Sequence, residues 1–360
     1  MAKKKKNFSS FVNNPVDFTL LITILLLLAI GLTMVLSASS PSALSETGNS
    51  YSFFSKQLFF AVIGLACMLF ISKIDYRFYK KFYKHSWWIA LALLLLVLIA
   101  GKTINGAKRW LYLTESLSFQ PSEVVKLLMI IFYAGVLVKN RDELSKYGKG
   151  FIKHILFLVP IIGLLLIEPH FSASIVIIAI VSVMMIMAGC KFWHFIATGG
   201  TVGVMGVIAL IVKEPYRLQR VVTFLDPWKD ATGNGWQVIQ SLYAIGSGGL
   251  FGLGLGESKQ KYLYIPEPHN DFIFSILGEE LGFIGCAVVL ILFAIFIWRG
   301  ILIAMKAPDM FGSLIAIGIT TLVAIQVIIN VAVVTSSMPA TGMPLPFFSY
   351  RRNGTYDFIV

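Results

Sequence analysis

The stretch DFIFSILGEELGFIGCAVVLILFAIFIW, residues 271–298, is apolar along most of its length but begins with Asp271 and carries Glu279 and Glu280. A helix rises about 1.5 Å per residue, so this stretch can cross a hydrocarbon core of about 30 Å. Carboxylates within a membrane span usually face the protein interior or a water-filled cavity. The stretch therefore predicts a transmembrane helix whose acidic residues have a specific task.

Similar apolar runs recur along the chain. Of its 360 residues, 57% are hydrophobic and 13% are charged, which excludes an ordinary soluble domain. The first run is too long for the apolar region of a cleavable signal peptide. We therefore predict an all-α, polytopic transmembrane helix bundle with nine spans, at residues 18–38, 57–73, 86–101, 123–138, 152–168, 172–189, 193–212, 272–298 and 310–335.

The basic residues predict how the bundle is oriented. The net charge is +12, and in a membrane protein such a charge indicates loops that face anionic lipid, so no nucleic-acid partner is expected. The lysine run at residues 3–6 and the basic loops at residues 73–85 and 139–154 fall on one side if the spans alternate. This side is predicted to be the cytoplasm, with the N-terminus in it.

One long connection, at about residues 213–270, separates the seventh and eighth spans and is predicted to be extracytoplasmic. A loop of this length between packed spans is usually functional. Within it, GWQVIQSLYAIG (235–246) predicts a helix lying in the membrane interface, and GSGGLFGLGLG (246–256) predicts a tight bend.

Several charged residues near the predicted outer surface are candidate ligands or ion-pair partners. Lys108 and Arg109 precede a span in which Glu123 and Lys126, three residues apart, share a helical face and can form an ion pair. Both a structural pair and a direct role in substrate binding are consistent with this spacing. No metal-binding pattern is evident, so the metal requirement is left open.

Arg217 and Arg220 lie one helical turn apart in the long extracytoplasmic loop. The positive-inside rule does not explain basic residues on the outer side. Their chemistry fits either a pyrophosphate ligand or contact with lipid headgroups.

Asp271 has two possible roles at the water–lipid boundary. It can cap the helix that follows, or it can act as a general base whose pKa is raised by partial desolvation. His269 can assist it or share a metal ion with it, although one His-x-Asp pattern is weak support for a metal site. Glu279 lies about 12 Å deeper along the helix and is expected to pair with a base such as Lys126.

Five motifs together resemble the SEDS family of bacterial cell-wall proteins, and most closely its FtsW/SpoVE branch. They are NGAKRW, FQPSEVVK, KEPYR, GSGGLFGLGLGESKQKYLYIPEPHNDFIFSILGEELGFIG and PATGMPLPFFSY, and they occur in order up to Tyr350. The resemblance implies a ten-span peptidoglycan glycosyltransferase of the bacterial cytoplasmic membrane, serving cell division or sporulation. It also implies that the essential carboxylate of the family corresponds to Asp271.

The resemblance further implies substrates, partners and a mechanism. Lipid II and undecaprenyl-pyrophosphate-linked glycan would be joined with inversion, and Lys108, Arg109, Arg217 and Arg220, with a possible divalent cation, would stabilise the leaving pyrophosphate. The expected partners are a class B penicillin-binding protein and other membrane proteins of division or sporulation. A lipid II flippase and a non-enzymatic scaffold for the transpeptidase are the alternative functions.

The chain departs from the family pattern at two places. His170-Phe171-Ser172 stands where the family often has Asp-Leu-Gly, and RRNGTYDFIV (351–360) stands where it has Gly-Gly-Thr or Gly-Gly-Ser and a tenth span. One inserted base converts codons for Gly-Gly-Thr into codons for Arg-Arg-Asn. We therefore expect a frameshifted or truncated product, with a membrane domain over 1–350, an aberrant tail over 351–360 and poor activity.

Overall fold

The computed structural model describes residues 16–104, 107–114, 117–198, 223–231, 233, 235–262 and 270–348. Eight helices in these ranges are long and apolar enough to cross a membrane. Two shorter α-helices, α7 and α8, accompany them. In chain order the α-helices of the described residues are α1 Phe18–Thr47, α2 Ser52–Ile71, α3 Arg77–Ala100, α4 Pro121–Lys139, α5 Lys153–Ile167, α6 Phe171–Ala188, α7 Phe192–Thr198, α8 Trp236–Gly248, α9 Ile273–Lys306 and α10 Met310–Val334.

Eight of the nine predicted spans coincide with helices, so the prediction of a helical membrane bundle is confirmed. The exception is the span at 193–212, of which only the beginning lies in α7 and the rest lies outside the described residues. The count of nine spans therefore stays a prediction. Arg217, Arg220, His269 and the tail at 351–360 also lie outside the described residues.

Local chemistry explains where several of the helices begin. Asp17 caps α1, because its Oδ1 accepts a hydrogen bond from the Leu20 amide at 3.0 Å. Asp309 caps α10 in the same way, through the Gly312 amide at 2.8 Å. Pro121 occupies the first position of α4, where its missing N–H costs no helical hydrogen bond.

The centre of the bundle is α4, which packs against α3, α6 and α10. Its Val125, Met129 and Tyr133 side chains are fully buried. In contrast, α2 buries only Phe53 and lies at the periphery, mainly against α1. A second contact, between α1 and α9, runs beside this centre and carries the ion pairs described below.

A small antiparallel sheet, which the sequence analysis did not predict, precedes α4. Its strands are β1 Lys102–Ile104, β2 Ala107–Thr114 and β3 Leu117–Phe119, in the order β1-β2-β3. Side chains alternate along β2, so Arg109 and the buried Leu111 share one face while the exposed Lys108 lies on the other. The sheet therefore separates two adjacent basic residues that were predicted to act together.

The glycine-rich bend at 246–256 packs against an interruption in α9. Gly282 has φ 66° and ψ −166°, which divides α9 into a leading segment, residues 273–281, and a longer segment, residues 283–306. The bend satisfies the backbone groups freed by this break, since the Phe283 amide donates to Gly249 O at 2.9 Å and the Leu253 amide donates to Glu279 O at 3.0 Å. Such pairing allows a helix to be broken at membrane depth.

The predicted helix at 235–246 is present as α8, but it does not lie free in the interface. Val238, Ile239 and Ser241 are buried, and α8 packs mainly against α9. Tyr243, one turn after Ile239, is exposed and meets the ring of Trp228 edge to face, with 5.8 Å between the ring centroids. The helix therefore packs against α9 and supports its leading segment.

Candidate active site

Asp271 lies just before α9 and is held by its backbone. Asn330, in α10, is 1% exposed, and its Nδ2 donates to Asp271 O at 2.8 Å and to Met343 O at 2.8 Å. The N-cap position of α9 is Phe272, so Asp271 stands one residue before the cap. This position differs from the capping role that the sequence allowed for Asp271.

The segment that follows α10 passes directly beside the Asp271 carboxylate. A Cβ at Gly342 would lie 3.3 Å from Asp271 Oδ2, and Gly342 has φ 69°. Ser172, at the start of α6, donates from Oγ to Thr341 O at 2.6 Å and anchors this segment. The segment then enters the bundle, where Phe348 is fully buried.

A succession of polar residues leads from Asp271 towards α4. His170, two residues before Ser172, has its Nε2 3.1 Å from Gln120 Nε2, and both side chains are buried. Gln120 immediately precedes α4, in which Lys126 Nζ lies 2.7 Å from Glu123 Oε2. This is the pair predicted from their spacing, and it lies at the same end of the bundle as Asp271.

Several buried polar atoms along this succession have no aligned hydrogen-bond partner within the described residues. Uncompensated burial of a polar atom costs about 1–3 kcal/mol, so such atoms tend to mark sites for water or ligand. Lys126 Nζ belongs to this group because its contact with Glu123 is close but poorly aligned. The atoms are Ser122 Oγ, Lys126 Nζ, Glu168 Oε1, Asn330 Oδ1 and Thr341 Oγ1.

The predicted anion-binding residues Lys108 and Arg109 have different environments. The Arg109 guanidinium donates through Nε to Glu168 O at 3.4 Å and through Nη2 to Pro169 O. These carbonyls follow the last turn of α5, where a cation is favoured by the helix dipole. Lys108 is exposed and reaches Leu98 O only at 3.5 Å. Arg109 thus braces α5, whereas Lys108 remains accessible to solvent.

Glu168, whose carbonyl accepts from Arg109, also has a buried side chain. The sequence analysis assigned no role to this residue. It is 2% exposed. Burial raises the pKa of its carboxyl to about 8, and the nearby Arg109 opposes the shift. Burial therefore favours the protonated form of Glu168.

The expected pairing of Glu279 with Lys126 is wrong. The Glu279 carboxylate instead accepts hydrogen bonds from Ser258 Oγ, from the Lys259 amide at 2.9 Å and from the Gln260 amide at 3.4 Å. Lys126 already has a local partner in Glu123, and the loop before α9 supplies donors directly at the level of Glu279. Glu279 is therefore a structural anchor for that loop.

Two polar contacts between α1 and α9 show where Asp271 lies along the bundle. Arg299 Nη2 lies 2.6 Å from Asp17 Oδ2 near one end, and Ser37 Oγ donates to Glu280 Oε1 at 2.6 Å near the other. About 30 Å of α1 separates these two contacts, which matches the thickness of a hydrocarbon core. Asp271 lies about 13 Å beyond Glu280 along the leading segment of α9, on the side away from Arg299.

The described residues do not gather three His, Cys, Asp or Glu side chains into a cluster that could hold a metal ion. His269 lies outside the described residues, so its pairing with Asp271 stays a prediction, as does the divalent cation. Sequence reasoning assigned no role to Gln120 or Asn330, and it noticed His170 only as a departure from the family pattern. Their signal was a polar side chain within or beside an apolar run.

Known proteins resemble this chain in both sequence and fold. The chain matches the FtsW/RodA/SpoVE family, described as "Cell cycle protein", over residues 18–353. It is 44% identical to stage V sporulation protein E of Bacillus subtilis, over 93% of this chain and 91% of that protein. It is 41% identical to a probable peptidoglycan glycosyltransferase FtsW of Trichlorobacter lovleyi, over 93% and 88% of the two chains.

Two solved structures share the fold. One belongs to a peptidoglycan synthase complex described for its structural coordination of polymerization and crosslinking, with a TM-score of 0.78, 28% identity and coverage of 93% and 92%. The other is the rod shape determining protein RodA of Thermus thermophilus, with a TM-score of 0.68, 26% identity and coverage of 93% and 90%. The resemblance seen in the sequence motifs is confirmed, and the chain belongs to the FtsW/RodA/SpoVE family of multi-pass membrane proteins.

Proposed function

We propose that this protein is a peptidoglycan glycosyltransferase that polymerises lipid II at the outer face of the cytoplasmic membrane. Two observations support the proposal: Asn330 holds the backbone of Asp271 just before α9, and the chain is 41% identical to a probable peptidoglycan glycosyltransferase. In this proposal the Asp271 carboxylate lies at the outer surface of the membrane. The N-terminus is cytoplasmic in this proposal, because the basic loops then face the cytoplasm.

Asp271 acts as the general base. Its carboxylate removes the proton from the 4-hydroxyl of the acceptor sugar, and the resulting oxygen nucleophile attacks the anomeric carbon of the donor. A new C–O bond forms as the bond to the pyrophosphate oxygen breaks, with inversion at that carbon. Undecaprenyl pyrophosphate leaves with the bonding electrons, and the proton remains on Asp271 until solvent accepts it.

The basic residues assigned to substrate binding divide between two tasks. Lys108 is exposed and can approach the departing pyrophosphate, together with Arg217 and Arg220 of the long loop. Arg109 has backbone partners at the end of α5, so it acts mainly by holding that end in place. Glu123 and Lys126 form an ion pair at the edge of the site, in which Lys126 is buried and Glu123 is partly exposed. No step is assigned to a divalent cation.

The partner in this proposal is a class B penicillin-binding protein, which cross-links the strands that this chain polymerises. Support comes from the similar chain of a solved peptidoglycan synthase complex in which polymerisation and crosslinking are coordinated. The similarity to both stage V sporulation protein E and FtsW leaves cell division and sporulation as the two biological settings, each with its own further membrane proteins.

Polymerisation of purified lipid II in detergent tests this function. The wild-type protein should form glycan strands, while Asp271→Asn should lower the rate by about 10²–10⁴ and still insert and fold. Detergent provides no second compartment, so a flippase or a scaffold would produce no polymer under these conditions. Polymerisation by Asp271→Asn at the wild-type rate would exclude Asp271 as the base.

A further inference from the structure

The break at Gly282 leaves the leading segment of α9 as a short helix of its own. Residues 273–280 are all buried, so the position of this segment is fixed by its contacts with neighbouring elements. Asp271 directly precedes this segment, and any shift of the segment moves its carboxylate. The contacts that hold the segment therefore determine the geometry of the base.

Two of these contacts lie on the side of α8 and α10. Ser275 Oγ lies 2.7 Å from Ser241 Oγ of α8, and Ser241 Oγ also donates to Val334 O at 2.8 Å. Asn330 holds Asp271 O, as described above. These contacts fix one side of the leading segment, near its beginning and its middle.

The opposite side is held by a buried charged cluster of Ser37, Lys261 and Glu280. Lys261 Nζ lies 3.0 Å from Glu280 Oε1 and 3.2 Å from Ser37 Oγ, and it donates to Gly256 O at 2.5 Å. The Lys261 residue is 3% exposed and Glu280 is fully buried. The cluster joins α1, the loop before α9 and the last turn of the leading segment.

A cluster of this kind is poorly explained by stability alone. The cost of removing two charges from water often exceeds their mutual attraction, and apolar residues of similar size can replace such pairs without loss of stability. A charged pair with several aligned donors, however, specifies direction and distance in a way that apolar packing does not. The fully satisfied Lys261 ammonium therefore fits a requirement for one fixed position.

We propose that the Ser37–Lys261–Glu280 cluster positions Asp271 for catalysis by locking the leading segment of α9 onto α1. Lys261 and Glu280 are thus positioning residues, and neither touches substrate. The inference rests on the proposed role of Asp271 as the base. The chain also offers a matched control, because Arg299 and Asp17 join the same two helices on the other side of the Gly282 break.

The experiment compares the kcat and KM of lipid II polymerisation for Lys261→Met, Ser37→Ala and Arg299→Met, with the melting temperature measured for each. A misplacement of about 1 Å can lower a rate about 10²-fold, so Lys261→Met should lower kcat by about that factor with little change in KM. Ser37→Ala removes one hydroxyl and should lower kcat several-fold. Lys261→Arg keeps the positive charge, so its kcat should lie between those of Lys261→Met and the wild type. Arg299→Met should lower the melting temperature and leave kcat unchanged.

The outcomes separate this inference from the proposed function. If Asp271→Asn is inactive while Ser37→Ala and Lys261→Met keep the wild-type kcat, the cluster does not position the base. If kcat falls as far in Arg299→Met as in Lys261→Met, the cluster stabilises the fold in general and has no specific role in positioning Asp271. Should Lys261→Met fail to insert, Ser37→Ala alone decides. If instead Asp271→Asn is fully active, the proposed function itself is wrong.

Discussion

Asn330 Nδ2 donates hydrogen bonds to both Asp271 O and Met343 O, each at 2.8 Å. One buried side-chain amide near the end of α10 thus joins the residue before α9 to the segment that follows α10. The backbone on both sides of the proposed active site therefore shares one buried donor.

Replacement of Asn330 by alanine should therefore affect catalysis more than folding. Two hydrogen bonds of about 1 kcal/mol each are lost, and two buried carbonyls lose a donor, so stability should fall by a few kcal/mol. We expect kcat to fall more than 10-fold, because Asp271 and the segment beside it lose their common support. Gln326→Ala, one turn earlier in α10, is the control and should leave kcat close to that of the wild type. Equal kcat values for all three proteins would contradict this role.

The sequence predicted the helices because hydropathy reports directly on membrane burial. Most helix bounds in the described residues follow the apolar runs, and Asp17, Pro121 and Asp309 occur where helix starts require them. The break at Gly282 could not be predicted in the same way. A glycine in an apolar run is compatible with a continuous helix, and only the loop that pairs with its carbonyls and amides reveals the interruption.

The partners of buried charges were predictable only where they are close in sequence. Glu123 and Lys126 are three residues apart on one helix, so the geometry of the helix brings them together. Glu279 was assigned to the wrong partner because its donors lie in a separate loop. Sequence separation does not report which loop folds back against a helix, and Lys261 carried no local pattern that identified its role.

Glu123 and Lys126 should respond unequally to loss of their partner. Lys126 is 1% exposed, whereas the Glu123 side chain is 44% exposed and can be solvated when it stands alone. Glu123→Gln leaves a buried ammonium without a counter-ion and should cost about 1–3 kcal/mol, while Lys126→Met should cost less. Thermal unfolding of both single variants and of the double variant checks this order. A larger loss for Lys126→Met would show that the buried ammonium is not the costly member of the pair.

Glu168 should make stability depend on pH. Its pKa is raised to about 8 in the folded protein, above the ordinary value of 4.5, because burial disfavours the carboxylate. A raised carboxyl pKa favours the folded state at pH values below about 4.5, and this contribution is lost as the pH rises through about 8. The melting temperature of the wild type should therefore fall relative to that of Glu168→Gln between pH 5 and pH 9. Thermal unfolding of both proteins, measured at intervals of about one pH unit, checks this. The exposed Glu257→Gln is the control, and its curve should run parallel to that of the wild type.

Gly342 should be required for catalysis beyond its effect on backbone strain. Alanine at this position must adopt φ 69°, and its Cβ would lie 3.3 Å from Asp271 Oδ2, so the carboxylate must move by a few tenths of an ångström. Gly48 provides a matched control, since its φ is also 69° but a Cβ there would meet no atom of the described residues within 4 Å. Both alanine variants should lose about 1–2 kcal/mol of stability from the left-handed backbone. Only Gly342→Ala should also lower kcat in the lipid II assay, and the drop should persist well below its melting temperature. A Gly48→Ala protein that loses as much kcat would assign the effect to strain alone, and a Gly342→Ala protein with wild-type kcat would show that Asp271 tolerates the displacement.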